Sequence, residues 1–118
     1  MKAYKIVFAS GYTDDLESIT RGLNCDVLII DEKGRYFNPQ FITIERVNNE
    51  FGAKSLCYLE DSLVIMREIT RETIFKTIPE LHRWMFFEKW VPLSATILEK
   101  YFYPKENWET FTIPVEQD

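Results

Sequence analysis

The hydrophobic period of this chain changes near Glu68, and that change constrains the fold more than any other feature. Before it, apolar residues come in short alternating or contiguous runs broken by Gly, Pro, Asn and Asp, the pattern of strands and turns. After it, they recur at helical spacing. "AYKIVFA", residues 3–9, alternates with Tyr4, Ile6 and Phe8 on one face. "CDVLIIDE" carries Val27, Leu28, Ile29 and Ile30 without a break, which reads as a central strand covered on both faces. "DEKGR" then supplies a turn in which Gly34 takes positive φ. "YFNPQFITIERV" resumes as a strand that becomes firm after Pro39, because proline gives no N–H to a ladder. "NNEFGAK" breaks the chain, and "SLCYL" and "SLVIMREI" flank Glu60 and Asp61 as a tight hairpin. Residues 3–67 are therefore expected to form an antiparallel meander.

In "TRETIFKTIPELHRWMFFEKW", Ile74, Ile78, Leu81 and Met85 form one helical stripe. Thr77-Ile78-Pro79-Glu80 matches a capping box with proline in the tolerated first turn. The segment is either one helix kinked near Pro79 or two short helices meeting at Thr77. "PLSATILEKYF" gives a further helix with Ile97, Leu98, Tyr101 and Phe102 inward, and "WETFTIPV" a short closing strand. The fold class expected is α+β. Residues 1–118 form a single domain, a mainly antiparallel meander with helices near 71–87 and 94–102 packed on one face.

At 46% apolar and 15% aromatic the chain is not a disordered one. Its formal charge is −5, with −3 carried by residues 1–61 and −2 by residues 62–118. No basic half exists to grip phosphates, which argues against direct nucleic-acid binding and favours a basic partner. Cys25 and Cys57, the two cysteines, sit in strand-like apolar runs and read as free core thiols. "MKAYKIVFASGY" has too short an apolar run for a signal peptide, and no run reaches the length of a membrane span. The expectation is a cytoplasmic protein with no membrane contact.

His82 is the only histidine, and no nucleophile motif accompanies it. It reads as a helix-surface or satisfied interface histidine, since one titratable group is no triad. There is no glycine-rich phosphate loop and no Cys/His zinc spacing, so no catalytic site, cofactor or metal is expected. What remains is acid. "TDDLES" places Asp14, Asp15 and Glu17 together without the spacing or the glycine of a calcium loop. The cluster reads as a solvated helix start, with Thr13 as a possible cap, and such a start is also a surface that a basic partner would meet. Asp31 and Glu32, then Glu60 and Asp61, fall in other turns, and some of these acids are expected to converge at one end of the sheet. Tyr12 and Tyr36 flank acidic loops, and Phe37 follows; tyrosine there offers rigid contact area, or alternatively Phe37 and one of the two tyrosines cover the sheet edge. Trp84, Trp90 and Trp108 are expected in the core or at its rim.

"DLE" at Asp15, Leu16 and Glu17, the strand leading to Gly34, and "FITI" at 41–44 resemble the N-terminal pattern of small immunity proteins from bacterial toxin–immunity systems. The helix before Trp90, Leu98 in the next helix, and Trp108-Glu109 within "LEKYFYPKENWETF" resemble the C-terminal pattern. "RVNNEFGA" stands where that pattern has a Pro-Lys-Trp segment, and Pro79 falls inside the helix. The resemblance implies a cytoplasmic, non-enzymatic protein that binds and neutralises a cognate toxin domain, with nucleases as the expected toxin class. Its partner-binding set would be Tyr12, Asp14, Asp15, Glu17, Asp31, Glu32, Tyr36, Glu60 and Asp61. A protein-binding adaptor and a small ligand-binding domain are the competing readings. A flat acidic face with exposed aromatics favours binding, and a deep pocket with convergent polar groups favours the last.

Overall fold

The alternation at the start of the chain produces the strand it implies. A computed structural model describes residues 2–9, 14–51 and 62–116. Strand β1 (Lys2–Phe8) turns Tyr4, Ile6 and Phe8 into one core layer and Val7 into another. Strand β3 (Val27–Ile30) pairs with it antiparallel, Lys5 opposite Ile30 and Phe8 opposite Val27. Val27, Leu28 and Ile29 are fully buried, as a contiguous apolar strand in the middle of a sheet requires. Between these strands lie helix α1 (Asp15–Arg21) and the two-residue β2 (Leu23–Asn24). The turn after β3 puts Gly34 at φ 79°. Strand β4 (Tyr36–Phe37) then pairs antiparallel with β3, and β7 (Glu109–Val115) pairs along the whole of β1. The larger sheet has the order β4-β3-β1-β7.

The rest of the first half departs from a meander. Strand β5 (Gln40–Thr43) pairs antiparallel with β2 but parallel with β6 (Leu63–Met66), in a second sheet of order β2-β5-β6. A parallel pair needs a crossover, and helix α2 (Ile44–Phe51) lies within it. "ITIERV", expected to stay extended, becomes helical at Ile44, where the Thr43 hydroxyl accepts the Arg46 N–H as an N-cap does. The expected hairpin around Glu60 and Asp61, the strand at "SLCYL" with Cys57, and Thr13 lie outside the described residues.

Helix α3 (Arg71–Arg83) is continuous through Pro79. Its start is Thr70, not Thr77: the Thr70 side chain accepts the Thr73 N–H while the Thr73 hydroxyl accepts the Thr70 N–H. Thr77 instead donates its hydroxyl back to the Thr73 carbonyl. Ile74, Ile78 and Leu81 are buried against Tyr4, Ile6, Phe8 and Ile29, joined by Phe86 and Phe87 of the one-turn α4 (Phe86–Lys89). Helix α5 (Ala95–Phe102) does not join them. Its Leu98 and Phe102 pack on Val7, Ala9 and Leu28, which face the other way. The helices therefore cover both faces of the larger sheet, not one, because β1 and β3 each carry apolar residues on both sides. Within α5 only Leu98 and Phe102 face inward, while Ile97 and Tyr101 are exposed. The result is a single α+β domain, mainly antiparallel, with helices packed against its sheets. Among the described residues, no helix is long and apolar enough to cross a membrane.

Candidate binding surface

The acids of "TDDLES" are occupied in holding the fold. Asp14 is the N-cap of α1, its Oδ1 accepting the Glu17 N–H at 2.8 Å. Glu17 pairs with Arg21 one turn later at 3.4 Å. Asp15 reaches across the sequence: its Oδ1 accepts the backbone N–H of Arg71, the first residue of α3, at 2.9 Å. The carboxylate satisfies one of the orphan donors of that helix and sits where its dipole favours negative charge. The Arg71 side chain forks onto both oxygens of Glu109 at 2.9 Å and lies 4.5 Å over the Phe8 ring. One corner thus ties α1, α3, β1 and β7 together. Glu109 is held below the usual carboxylate range by hydrogen bonding and attraction to Arg71.

Asp31 and Glu32 lie at the other end of β1. Glu32 accepts the Ala3 N–H at 3.3 Å, whereas Glu109 and the Asp15–Arg71 corner sit beside Phe8. Strand rise over that distance separates the two acidic groups by about 16 Å, so they do not converge. Asp31 has an internal role: it accepts the Lys33 and Arg35 N–H groups and pairs with the Arg35 guanidinium at 2.7 Å, leaving its side chain 8% exposed. Glu32 remains exposed, as does Glu88 of α4. Both line a recess of about 250 Å³ with Lys2, Tyr4, Asp31 and Arg35.

Tyr4 closes that recess. Its hydroxyl and His82 Nδ1 are hydrogen-bonded at 2.7 Å, and its ring stacks on Phe87 at 4.4 Å. Burial, reinforced by Glu88, Asp31 and Glu32 and opposed by Arg35, pushes the phenol up to about 12. The pair joins β1 to α3, which makes His82 a hydrogen-bonded interface histidine. Among the described residues, no group of three or more His, Cys, Asp or Glu side chains is placed to hold a metal ion.

Large apolar side chains are exposed between the end of α3 and the chain that follows α4. Trp84 is 72% exposed, Met85 51% and Val91 83%, with Trp90 partly exposed between them. The expectation of a core or rim place fails for Trp84. The stripe 74-78-81 continues to Met85 only if the helix does, and α3 ends at Arg83, with Met85 at φ 61°. The chain thus reverses before Met85 can turn inward, and Trp84 is left on the outside. The corner is flanked by two open grooves: one of about 570 Å³ between β6 and α3, lined by Ile65, Lys76, Leu81 and Trp84, and one of about 480 Å³ beside Gln40, Trp90 and Val91.

Phe37 is buried against Phe86 and Phe87, while Tyr36 faces the α5 side, its ring 6.2 Å from Trp108. Tyr12, Glu60 and Asp61 lie outside the described residues. The sequence reading missed Glu88 and the exposed Trp84–Met85 pair. The mark that could have found the pair is the Met-Phe-Phe that follows Trp84: two adjacent aromatics cannot continue one helical stripe. No protein-family model matches the chain, and no curated protein or solved structure matches it.

Proposed function

We propose that this chain is a non-enzymatic binding protein that neutralises a basic toxin domain, as a cytoplasmic immunity protein does. The observation that carries the reading is the run 84–91, in which Trp84, Met85 and Val91 are exposed on either side of the exposed acid Glu88 in the sequence. Large exposed apolar side chains rimmed by charge mark protein contact sites, and tryptophan is the commonest anchor among them. The net charge of −5 selects a basic partner by attracting it over distances longer than any contact. A nuclease is the expected toxin class, because its phosphate-binding surface is basic and an acidic protein covering it excludes substrate. The resemblance to immunity proteins points the same way.

The test is co-expression with the protein encoded immediately upstream. Growth arrest by that protein alone, relieved by this chain, and loss of the purified toxin's activity at one molar equivalent are expected. Undiminished toxicity and activity at excess chain, with the chain folded, would contradict the reading and leave the adaptor role.

A further inference from the structure

On the α5 face, two aromatic rings flank one ammonium group, and a third packs beside them. The Lys105 Nζ lies 5.4 Å from the Tyr103 ring and 5.7 Å from the Trp108 ring. Tyr36 lies against Trp108, their rings 6.2 Å apart, and Tyr103 meets Trp108 edge-on at 5.7 Å. The rings do not depend on Lys105 for their places. The Trp108 indole N–H donates to the Phe102 carbonyl at 2.8 Å, and Tyr36 is fixed in β4, its carbonyl accepting the Leu93 N–H at 2.7 Å. Lys105 itself is exposed on a short turn.

We propose that Tyr36, Tyr103 and Trp108 form a lysine-recognition subsite, which Lys105 fills in the free protein and which a lysine of the basic partner can enter in its place. Aromatic faces attract a cation through their quadrupoles. The two tyrosine hydroxyls add acceptors, which suit a primary ammonium with N–H groups to donate and offer nothing to a quaternary one. The ammonium responds to this setting: hydrogen bonding to Tyr103, then attraction to Tyr36 and Tyr103, holds Lys105 above the usual lysine range. Because the resident lysine is exposed and on a flexible stem, an incoming lysine can exchange with it without rearranging the rings. The partner's identity as a basic protein rests on the function proposed above; the chemistry of the box does not.

The test is titration of the whole chain with n-butylammonium, the lysine side-chain analogue, followed at the Trp108 indole N–H by NMR. Lys105→Ala is expected to show a saturable shift and to bind about ten-fold more tightly than wild type, whose own lysine competes. Tyr103→Phe added to Lys105→Ala is expected to weaken binding several-fold, and 1-pentanol, the neutral analogue, to give no saturable shift. Lys105→Met keeps the alkyl stem and replaces Lys105→Ala should that variant not fold. No saturable shift in a folded variant, an equal response to 1-pentanol, equal binding by tetramethylammonium, or equal affinity in wild type would each overturn the proposal. An upstream protein that is not inhibited would bear on the proposed function alone, and a failed amine titration on the box alone.

Discussion

Replacing both Asp14 and Asp15 by alanine separates a structural role for this cluster from a purely external one. Asp14→Ala removes the N-cap of α1, a loss of about 1 kcal/mol. Asp15→Ala removes a charged acceptor from the Arg71 N–H at the start of α3. Hydrogen bonds to charged groups contribute about 1.5–3 kcal/mol, and the part-exposed setting places this one at the low end. The double variant should therefore lose about 2.5 kcal/mol. In a domain of this size that lowers Tm by about 10 °C. The aspartate-to-asparagine pair should lose about 1 kcal/mol or less, because asparagine caps as well as aspartate and still presents an oxygen to Arg71. Urea unfolding followed by tryptophan fluorescence measures both, with the m-value unchanged if only the folded state is affected. An alanine double variant within about 0.5 kcal/mol of wild type would refute the structural assignment and return these acids to the solvent.

Three other outcomes follow from the packing and the backbone. Ile74→Ala, at a fully buried position, should cost about 2–5 kcal/mol in the same assay, whereas Trp84→Ala should change stability by no more than about 0.5 kcal/mol. Gly34→Ala should cost about 1 kcal/mol, since its φ of 79° is strained for alanine but its surroundings are open; Gly22→Ala should cost more, because at φ 67° a new Cβ would also meet Thr43 Oγ1 at 2.7 Å. Tyr4 keeps its proton in the folded chain to about pH 12, while the unfolded phenol loses it near 10. Over that window the folded state binds the extra proton, so its contribution is complete below pH 10 and is lost as pH rises to 12. Wild type should lose stability across this range more steeply than Tyr4→Phe, and phenolate absorbance should show one tyrosine titrating late.

The parts of this fold that follow from local period were legible in the sequence. Strand β1 alternates and β3 is continuously apolar, so their faces could be read directly; the apolar stripe of α3 was equally visible, but its start at Thr70 and its continuity through Pro79 were not. The parts that depend on distant partners were not. "ITIERV" carries Ile44 and Val47 three apart, which suits a helix, yet its β-branched residues favour a strand, and the Thr43 cap decides between them. The parallel pairing of β5 with β6 leaves no mark in either strand. Asp15 meets Arg71 across 56 positions, so its role as a second helix's acceptor cannot be seen in "TDDLES". Similarly, Glu32 and Glu88 both come to act on Tyr4, Glu88 through α4, whereas the acids of "TDDLES" and of the turn at Asp31 and Glu32 are held at opposite ends of β1.

The rate at which the complex with the upstream-encoded protein falls apart tests the proposed interface most directly. Wild type, Trp84→Ala and Asp14→Asn should be compared by surface-immobilised kinetics at low and physiological salt. If the corner is the contact, Trp84→Ala should dissociate at least ten-fold faster at both salt concentrations, because salt does not screen a buried apolar contact, while Asp14→Asn should match wild type. Equal dissociation of Trp84→Ala and wild type, or the absence of any complex with the folded wild-type chain, would contradict the account.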